Sequence, residues 1–373
     1  MVRHDYGRMD RLLHRLALGL PALAELSFDL DQRASGAAHR ADAVAGQPHV
    51  FVTGLARAGT TILLRHLHDS RRFRSLTYRD MPFPLAPNLW RRVSARWRKG
   101  RSADAPARQR AHGDGIPVDA DSPEALEELF WRIQSGSDYI RRHGLLPHQP
   151  DDHVMTLFRR YVAAIMASPD AGQARYLSKN NNNILRLPAL QQGFPAALFV
   201  IPFRHPADHA LSLWRQHRHF RALQRHSPFI RTYMDGLAHH EFGLGQRPFL
   251  IGGPPPPHLT PDVPDYWLDM WIRVHRHLVG QANGRMLLVC HEELCTDPAV
   301  WRRLLDRLDL PPGQPSRFSA PPGKLPKNPA ENRDSNFDPA GLREASALYD
   351  HLRLLAHLHA RRDEQVRIFR LAS

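Results

Sequence analysis

Cysteine is nearly missing from this chain. The 373 residues hold two, Cys290 and Cys295. A single C-x₄-C pair makes neither a disulfide framework nor a zinc site, and so sparse a use of thiols suits a cytoplasmic protein. Long apolar runs are missing too. The longest, residues 194–203, is broken by Pro195 and Pro202. It is about half of the roughly 20 residues that a membrane-spanning helix needs, so no such helix is expected. Negative charge is in short supply: 37 Asp and Glu against 51 Lys and Arg leave a net charge of +14. That excess favours acidic partners such as nucleic acid, anionic membrane, polyanionic glycans or phosphorylated cofactors. No recognisable nucleic-acid module or aromatic stacking motif accompanies it. The 24 histidines form pairs such as His217/His219 and His239/His240, but no carboxylate or cysteine stands at ligand spacing, so no metal site is expected. Abundant Ala, Arg, His and Pro read as background composition.

What the chain does contain is an ordinary globular mix, 42% hydrophobic and 24% charged, enough for one large α/β domain. At the N-terminus, Leu12, Leu13, Leu16, Leu20 and Leu23 lie on one helical stripe, and Arg11 and Arg15 interrupt what would otherwise resemble a secretory signal. Residues 1–47 therefore read as a packed helix and an Ala/Gly-rich linker. Residues 48–373 read as one domain with insertions at about 82–122 and 220–262. Strands are expected at 50–53, 73–78, 175–179, 196–203 and 285–290. Helices are expected at 60–69, from Ser122 as N-cap through 133, and at 152–167, 204–217, 266–279 and 297–310, with a last one running to about 361. Residues 220–262 read as long and irregular. Strands alternating with helices give an α/β fold with a central parallel sheet flanked by helices.

The stretch "VFVTGLARAGTTILLRHL" carries the first chemistry. A β-branched and aromatic strand runs into Gly54, a glycine loop follows, and a helical pattern starts at Thr60. Gly54 and Gly59 have the G-x-x-x-x-G spacing of a phosphate-binding loop, but Thr60 stands where the lysine belongs and Thr61 follows. The cation in the loop is Arg57. Backbone N–H groups from Ala58 to Thr61, at a helix N-terminus, suit an anion. A second constellation follows the strand "AALFVIPF". Arg204 leaves its carboxyl end, and Ser212 lies on the next helix, leaning back toward it. A cation in place of a metal-holding aspartate argues for an anion gripped by protein groups rather than through magnesium.

Together "TGLARAGTT", "RHPADHALSLWRQ" and "VCHEELCTDPAVWRRLLDRLDL" resemble the sulfotransferase family, whose donor is 3′-phosphoadenosine 5′-phosphosulfate (PAPS). The first is similar to the family's 5′-phosphosulfate loop in its P-R-S-G-T-T form, with Ala56 and Ala58 replacing Pro and Ser. The second is similar to the 3′-phosphate motif, an Arg with a Ser eight positions later. The third resembles the family's strand, acidic and helix segment, with Glu292 as its acidic residue. The resemblance implies a P-loop-like sheet. It implies that Arg57, Ala58, Gly59, Thr60 and Thr61 hold the phosphosulfate, that Arg204 and Ser212 hold the 3′-phosphate, and that Lys179 helps stabilise the transferring sulfuryl group. It implies no metal.

Two departures bear on catalysis. The family's cytosolic branch has a histidine two residues after that lysine, acting as base; here it is Asn181, which takes no proton near neutral pH. Members with P-R-S-G-T-T loops use a carboxylate just beyond the loop helix. Asp80 is the carboxylate in the comparable region, with Glu127, Glu128 and His205 as weaker candidates. The family's C-terminal basic motif is missing, and Lys324, Lys327 or Arg333 are candidates to replace it. The acceptor would be a hydroxyl or amine. The basic run at 91–112 reads either as a solvated helix end and loop or as a rim for an acidic or glycan acceptor. Two other classes stay open: a P-loop nucleotide kinase-like phosphotransferase, which needs a lysine and magnesium ligands, and a non-catalytic basic nucleotide- or polyanion-binding protein.

Overall fold

The computed structural model describes residues 8–98, 108–109, 117–168, 172, 174–311 and 334–371. Five parallel strands form its central sheet: β1 (Val50–Val52), β2 (Phe73–Arg74), β3 (Arg175–Lys179), β4 (Leu198–Phe203) and β5 (Met286–Cys290). Their order across the sheet is β2-β3-β1-β4-β5. Because side chains alternate along a strand, one sheet feeds two cores. Phe51, Tyr176, Phe199, Ile201 and Phe203 face one, and Val50, Val52, Leu177 and Val200 the other. Phe51 stacks on Phe199 at a 5.3 Å centroid distance and 13° between planes. With both faces covered, β1, β4 and β5 are apolar throughout, as the interior strands of a parallel sheet tend to be.

The α/β class and parallel sheet match the sequence reading; several local expectations do not. The stretch expected to be a linker is helical: Pro21–Ser35 is followed by a 3₁₀ turn at Ala37–Arg40 and the helix Ala41–Ala45. Ala24, Phe28, Ala41 and Val44 join the larger core, so alanine here is a helix former with a packing face rather than a spacer. The second strand stops at Arg74, because the chain turns at Thr77 into a 3₁₀ helix, Tyr78–Asp80. Ser122 is no N-cap: the helix starts at Glu128, and Ser122 Oγ instead bonds Asp119 in a local turn. Residues 220–262 are less irregular than expected. The helix Pro206–His226 runs well past 217, and Pro228–Gly236 is a further helix. The final helix, Pro339–Leu371, packs its Ala345, Tyr349 and Leu352 on the core. None of the helices among the described residues is long and apolar enough to cross a membrane.

Candidate active site

Four segments meet at the carboxyl edge of the sheet, the usual ligand edge of such folds: those leaving β1, β3, β4 and β5. The loop after β1 curls through left-handed backbone at Gly54 (φ 145°), Arg57 (φ 70°) and Gly59 (φ 95°). At two of these a Cβ would be crowded as well as strained. A Cβ on Gly54 would lie 3.2 Å from the Pro202 carbonyl oxygen, and one on Gly59 would lie 2.9 Å from His291 Nδ1. Arg57 accepts a conformation that costs a side-chain-bearing residue about 1–2 kcal/mol, a strain typical of functional loops.

The helix Thr60–Asp69 takes over where the loop ends, with Leu63 N–H bonding the Gly59 carbonyl at 3.0 Å. Helix geometry leaves the N–H groups of Thr60, Thr61 and Ile62 without an acceptor inside the helix, and its dipole puts about half a positive charge there. Ala58 N–H, expected among the anion donors, instead closes the loop on the Leu55 carbonyl at 3.3 Å.

Arg57 and Ser212 meet across 155 residues of sequence: Arg57 Nε donates to Ser212 Oγ at 3.4 Å. His209, on the same helix as Ser212, clamps the loop with Nε2 at 2.8 Å from the Ala56 carbonyl. Burial holds its pKa well below the ordinary range, so the ring is neutral and Nε2–H is the donor. On β4, Arg204 leaves the sheet with its Nε buried and without a hydrogen-bond partner. Glu292 Oε1, at 3.8 Å, attracts it from beyond hydrogen-bond range. Glu292 is otherwise engaged, taking the His205 N–H at 3.1 Å and the Tyr349 hydroxyl at 3.1 Å. His291 packs on Gly59 from the other side. Burial, then the charge of Arg204, push its pKa down to about 4, so it adds a neutral wall. A cationic Arg57, a cationic Arg204 and a helix N-terminus thus share one edge, suited to a ligand with more than one negative charge.

Lys179 ends β3, in register with Val52 of β1. The asparagine run behind it has a buried anchor. Glu127 accepts from Tyr176 OH at 2.9 Å, Asn183 Nδ2 at 2.9 Å, Trp131 Nε1 at 3.2 Å and Ser178. Glu128 takes Arg186 in two-pronged fashion at 2.8 and 3.1 Å, Asn180 Nδ2 at 2.6 Å and Tyr139. Both carboxylates are 2% exposed and hydrogen-bonded on every side. Asn181 points elsewhere: its Nδ2 donates to Glu241 Oε1 at 3.0 Å, while its buried Oδ1 has no partner.

Asp80 is not joined to Arg57, Arg204 or Ser212 by any of these contacts. Its Oδ2 accepts the Thr77 N–H at 2.8 Å and the Thr77 hydroxyl at 3.3 Å, and Arg74 Nη2 lies 3.4–3.5 Å from both oxygens. His205 sets its ring 3.9 Å from Asp208 and against Tyr349. Lys324, Lys327 and Arg333 lie outside the described residues, as does much of the basic run; within it Arg91 bonds Ser168 at 2.8 Å. No group of three or more His, Cys, Asp or Glu stands together to hold a metal ion among the described residues. Sequence reasoning missed His209, His291 and Glu241. Each works through tertiary contact, and none has a sequence pattern beyond proximity to a motif.

Gly59→Ala is expected to lower stability by about 1–2 kcal/mol through its left-handed backbone alone and to displace His291. Thermal denaturation would register this as a lower Tm, and an unchanged Tm would contradict the packing described.

The family model described as "Sulfotransferase family" matches residues 48–246. Among solved structures, a sulfotransferase from Mycobacterium tuberculosis is 16% identical, with a TM-score of 0.47, covering 83% of this chain and 78% of that one. A sulfotransferase from Alicyclobacillus acidocaldarius is 15% identical, with a TM-score of 0.37, covering 83% and 96%. No curated protein matches. The family match spans more than half of the chain and takes in the glycine loop, Arg204 and Ser212; the chain belongs to the sulfotransferase family.

Proposed function

We propose that this protein transfers a sulfuryl group from PAPS to a hydroxyl or amine acceptor. The observation that carries the reading is the contact of Arg57 with Ser212: the two motifs lie side by side, as a nucleotide with two phosphate groups would need. Arg57 and the N–H groups of Gly59, Thr60 and Thr61 hold the 5′-phosphosulfate, with the Thr60 and Thr61 hydroxyls beside them. Arg204 and Ser212 hold the 3′-phosphate; the unpartnered Arg204 Nε is a donor suited to a phosphate oxygen. Lys179 and Arg57 stabilise the charge that develops on the sulfuryl oxygens and the departing phosphate. Fixed donors of this kind cost no reorganisation during the reaction. The acceptor oxygen or nitrogen attacks sulfur, and the bond from sulfur to the bridging phosphate oxygen breaks. Its electron pair stays with adenosine 3′,5′-bisphosphate, and the acceptor proton passes to a base.

Asp80, the base that the family resemblance implies, enters this proposal differently. Its carboxylate binds Thr77 and Arg74, and we assign it to holding the turn after β2. The test is direct: incubation with PAPS and a panel of alcohols, phenols, sugars and amines, followed by mass spectrometry. The expected result is a product heavier by one sulfuryl group and stoichiometric adenosine 3′,5′-bisphosphate. Transfer of phosphate from ATP-magnesium, with PAPS inert, would contradict the reading.

A further inference from the structure

We propose that Tyr349, on the final helix, is a positioning residue for nucleotide binding: its hydroxyl holds the Glu292 carboxylate back from Arg204, so that the guanidinium stays open to a 3′-phosphate. The inference rests on the reading above, in which Arg204 binds that phosphate.

Its starting point is a gap. Arg204 and Glu292 leave the ends of neighbouring parallel strands, where Phe203 of β4 is in register with Cys290 of β5. The two side chains carry opposite charges, and Arg204 Nε is buried with no hydrogen-bond partner. An unrestrained carboxylate would close on it to the ~2.7–2.9 Å of a charge-assisted hydrogen bond. Instead Glu292 Oε1 stands 3.8 Å away. Other donors hold it there. Oε1 takes the His205 N–H at 3.1 Å, and Oε2 takes the Tyr349 hydroxyl at 3.1 Å. The Cys290 thiol, 3.5 Å from Oε2, is a weak donor, so the phenol is the strong hold on that oxygen. Burial, then the contact with Cys290, push the Tyr349 pKa up, and burial pushes the Cys290 thiol up to about 11. Both groups therefore keep their protons at neutral pH, and the phenol stays a donor.

The tyrosine ring is fixed independently of its hydroxyl. Its centroid lies 5.8 Å from that of Phe203 and 5.3 Å from that of His205. The helix has a second tie to the segment after β5: Arg353 Nε and Nη2 each meet Glu293 Oε1 at 2.8 Å, and His357 Nε2 lies 3.3 Å from it. Ala345 and Leu352 pack in the core. Removing the hydroxyl alone thus leaves the helix docked and frees Glu292 to pair with Arg204. A guanidinium paired in this way has fewer donors left for a phosphate, and the carboxylate beside it repels the anion. The end of the chain in this way serves the nucleotide site through Glu292.

The experiment measures by calorimetry the affinities of wild type, Y349F, E292Q and Y349F/E292Q for adenosine 3′,5′-bisphosphate and adenosine 5′-phosphate. The ratio of the two affinities reports the contact with the 3′-phosphate. Y349F is expected to bind adenosine 5′-phosphate as wild type does and to lose about tenfold in affinity for the bisphosphate, the size of one hydrogen bond to a charged group. The double variant has no carboxylate left to capture Arg204, and it should recover the wild-type ratio to within about threefold. E292Q alone should keep that ratio or raise it. An unchanged ratio in Y349F would overturn the proposal. Equal losses for both nucleotides, or a selective loss that E292Q does not restore, would overturn it too. A ratio that falls in E292Q alone would make Glu292 a support for Arg204 rather than a competitor, and would contradict the proposal whatever Y349F does. Wild type that does not prefer the bisphosphate overturns the 3′-phosphate reading itself, before any variant is compared, and the role of Tyr349 with it.

Discussion

Replacing Arg204 or Arg57 with alanine is expected to weaken binding of adenosine 3′,5′-bisphosphate about 10²-fold or more each. Removing one partner of a largely desolvated, hydrogen-bonded charge pair costs about 2–5 kcal/mol, and each 1.4 kcal/mol is roughly tenfold in affinity. The two variants should differ in kind. Arg204 has a buried Nε with no hydrogen-bond partner and an attraction to Glu292 at 3.8 Å, so in the proposed site its loss removes a donor to the 3′-phosphate and leaves Glu292 bonded to His205 and Tyr349. It also removes one of the charges that suppress protonation of His291. Arg57 lies in the loop itself, and its loss removes the bond to Ser212 and, in the proposed site, a donor to the 5′-phosphosulfate. Arg204→Ala should therefore lose discrimination between the bisphosphate and adenosine 5′-phosphate, while Arg57→Ala should weaken both nucleotides alike. Calorimetry on the four pairings checks this, and undiminished affinity in both variants would contradict it.

The second large effect concerns stability. Arg186→Met and Glu128→Gln are each expected to cost about 3–5 kcal/mol, the usual result of leaving one member of a buried ion pair alone. Arg186 is 0% exposed, lies 4.6 and 4.8 Å from the Trp131 and Tyr139 ring centroids, and meets Glu128 at 2.8 Å. Burial raises the Glu128 pKa, but the charge and hydrogen bonds of Arg186 outweigh it and leave the carboxyl below its ordinary 4.5. The sign follows from that depression. The contribution is fully present above pH 4.5, the ordinary value, and is lost as pH falls through the lower value in the folded protein. The double variant should lose less than the sum of the two single losses, because it leaves no lone charge. Urea denaturation at pH 7 and at pH 4 measures these differences; strictly additive losses would mean that the pair does not act as a unit. The anchor matters for the site because Asn180, which bonds Glu128, follows Lys179 directly, and Asn183, which bonds Glu127, lies four residues after it.

The sheet was legible in the sequence because its strands are short, apolar and followed by helices. The stretch "LFVIPF" is buried nearly throughout, and the loop glycines mark both a turn and a close approach. Motif spacing also located Arg57, Arg204 and Ser212, and the structure brings Arg57 and Ser212 into contact. What was not legible depends on long-range packing. Asp80 reads from its place after a strand as a candidate base, and its capping contact with Thr77, three residues before it, is a feature that no sequence pattern announced. Glu241 stands in a stretch rich in Gly and His, where no period announces a role, and only the fold sets it against Asn181. The helical character of residues 21–45 was hidden by alanine, which serves helices and linkers alike.

In the proposed function the loop, Arg204 and Ser212 form one site for a nucleotide phosphorylated at both its 3′ and 5′ positions. The measurement that tests it most directly is calorimetric titration of the wild-type protein with adenosine 3′,5′-bisphosphate, adenosine 5′-phosphate and ATP-magnesium under identical conditions. Binding of the bisphosphate without added metal is expected, with adenosine 5′-phosphate bound about 10²-fold more weakly, the difference being the charge-assisted contacts to the 3′-phosphate. ATP-magnesium bound more tightly than the bisphosphate, or an affinity indifferent to the 3′-phosphate, would contradict it.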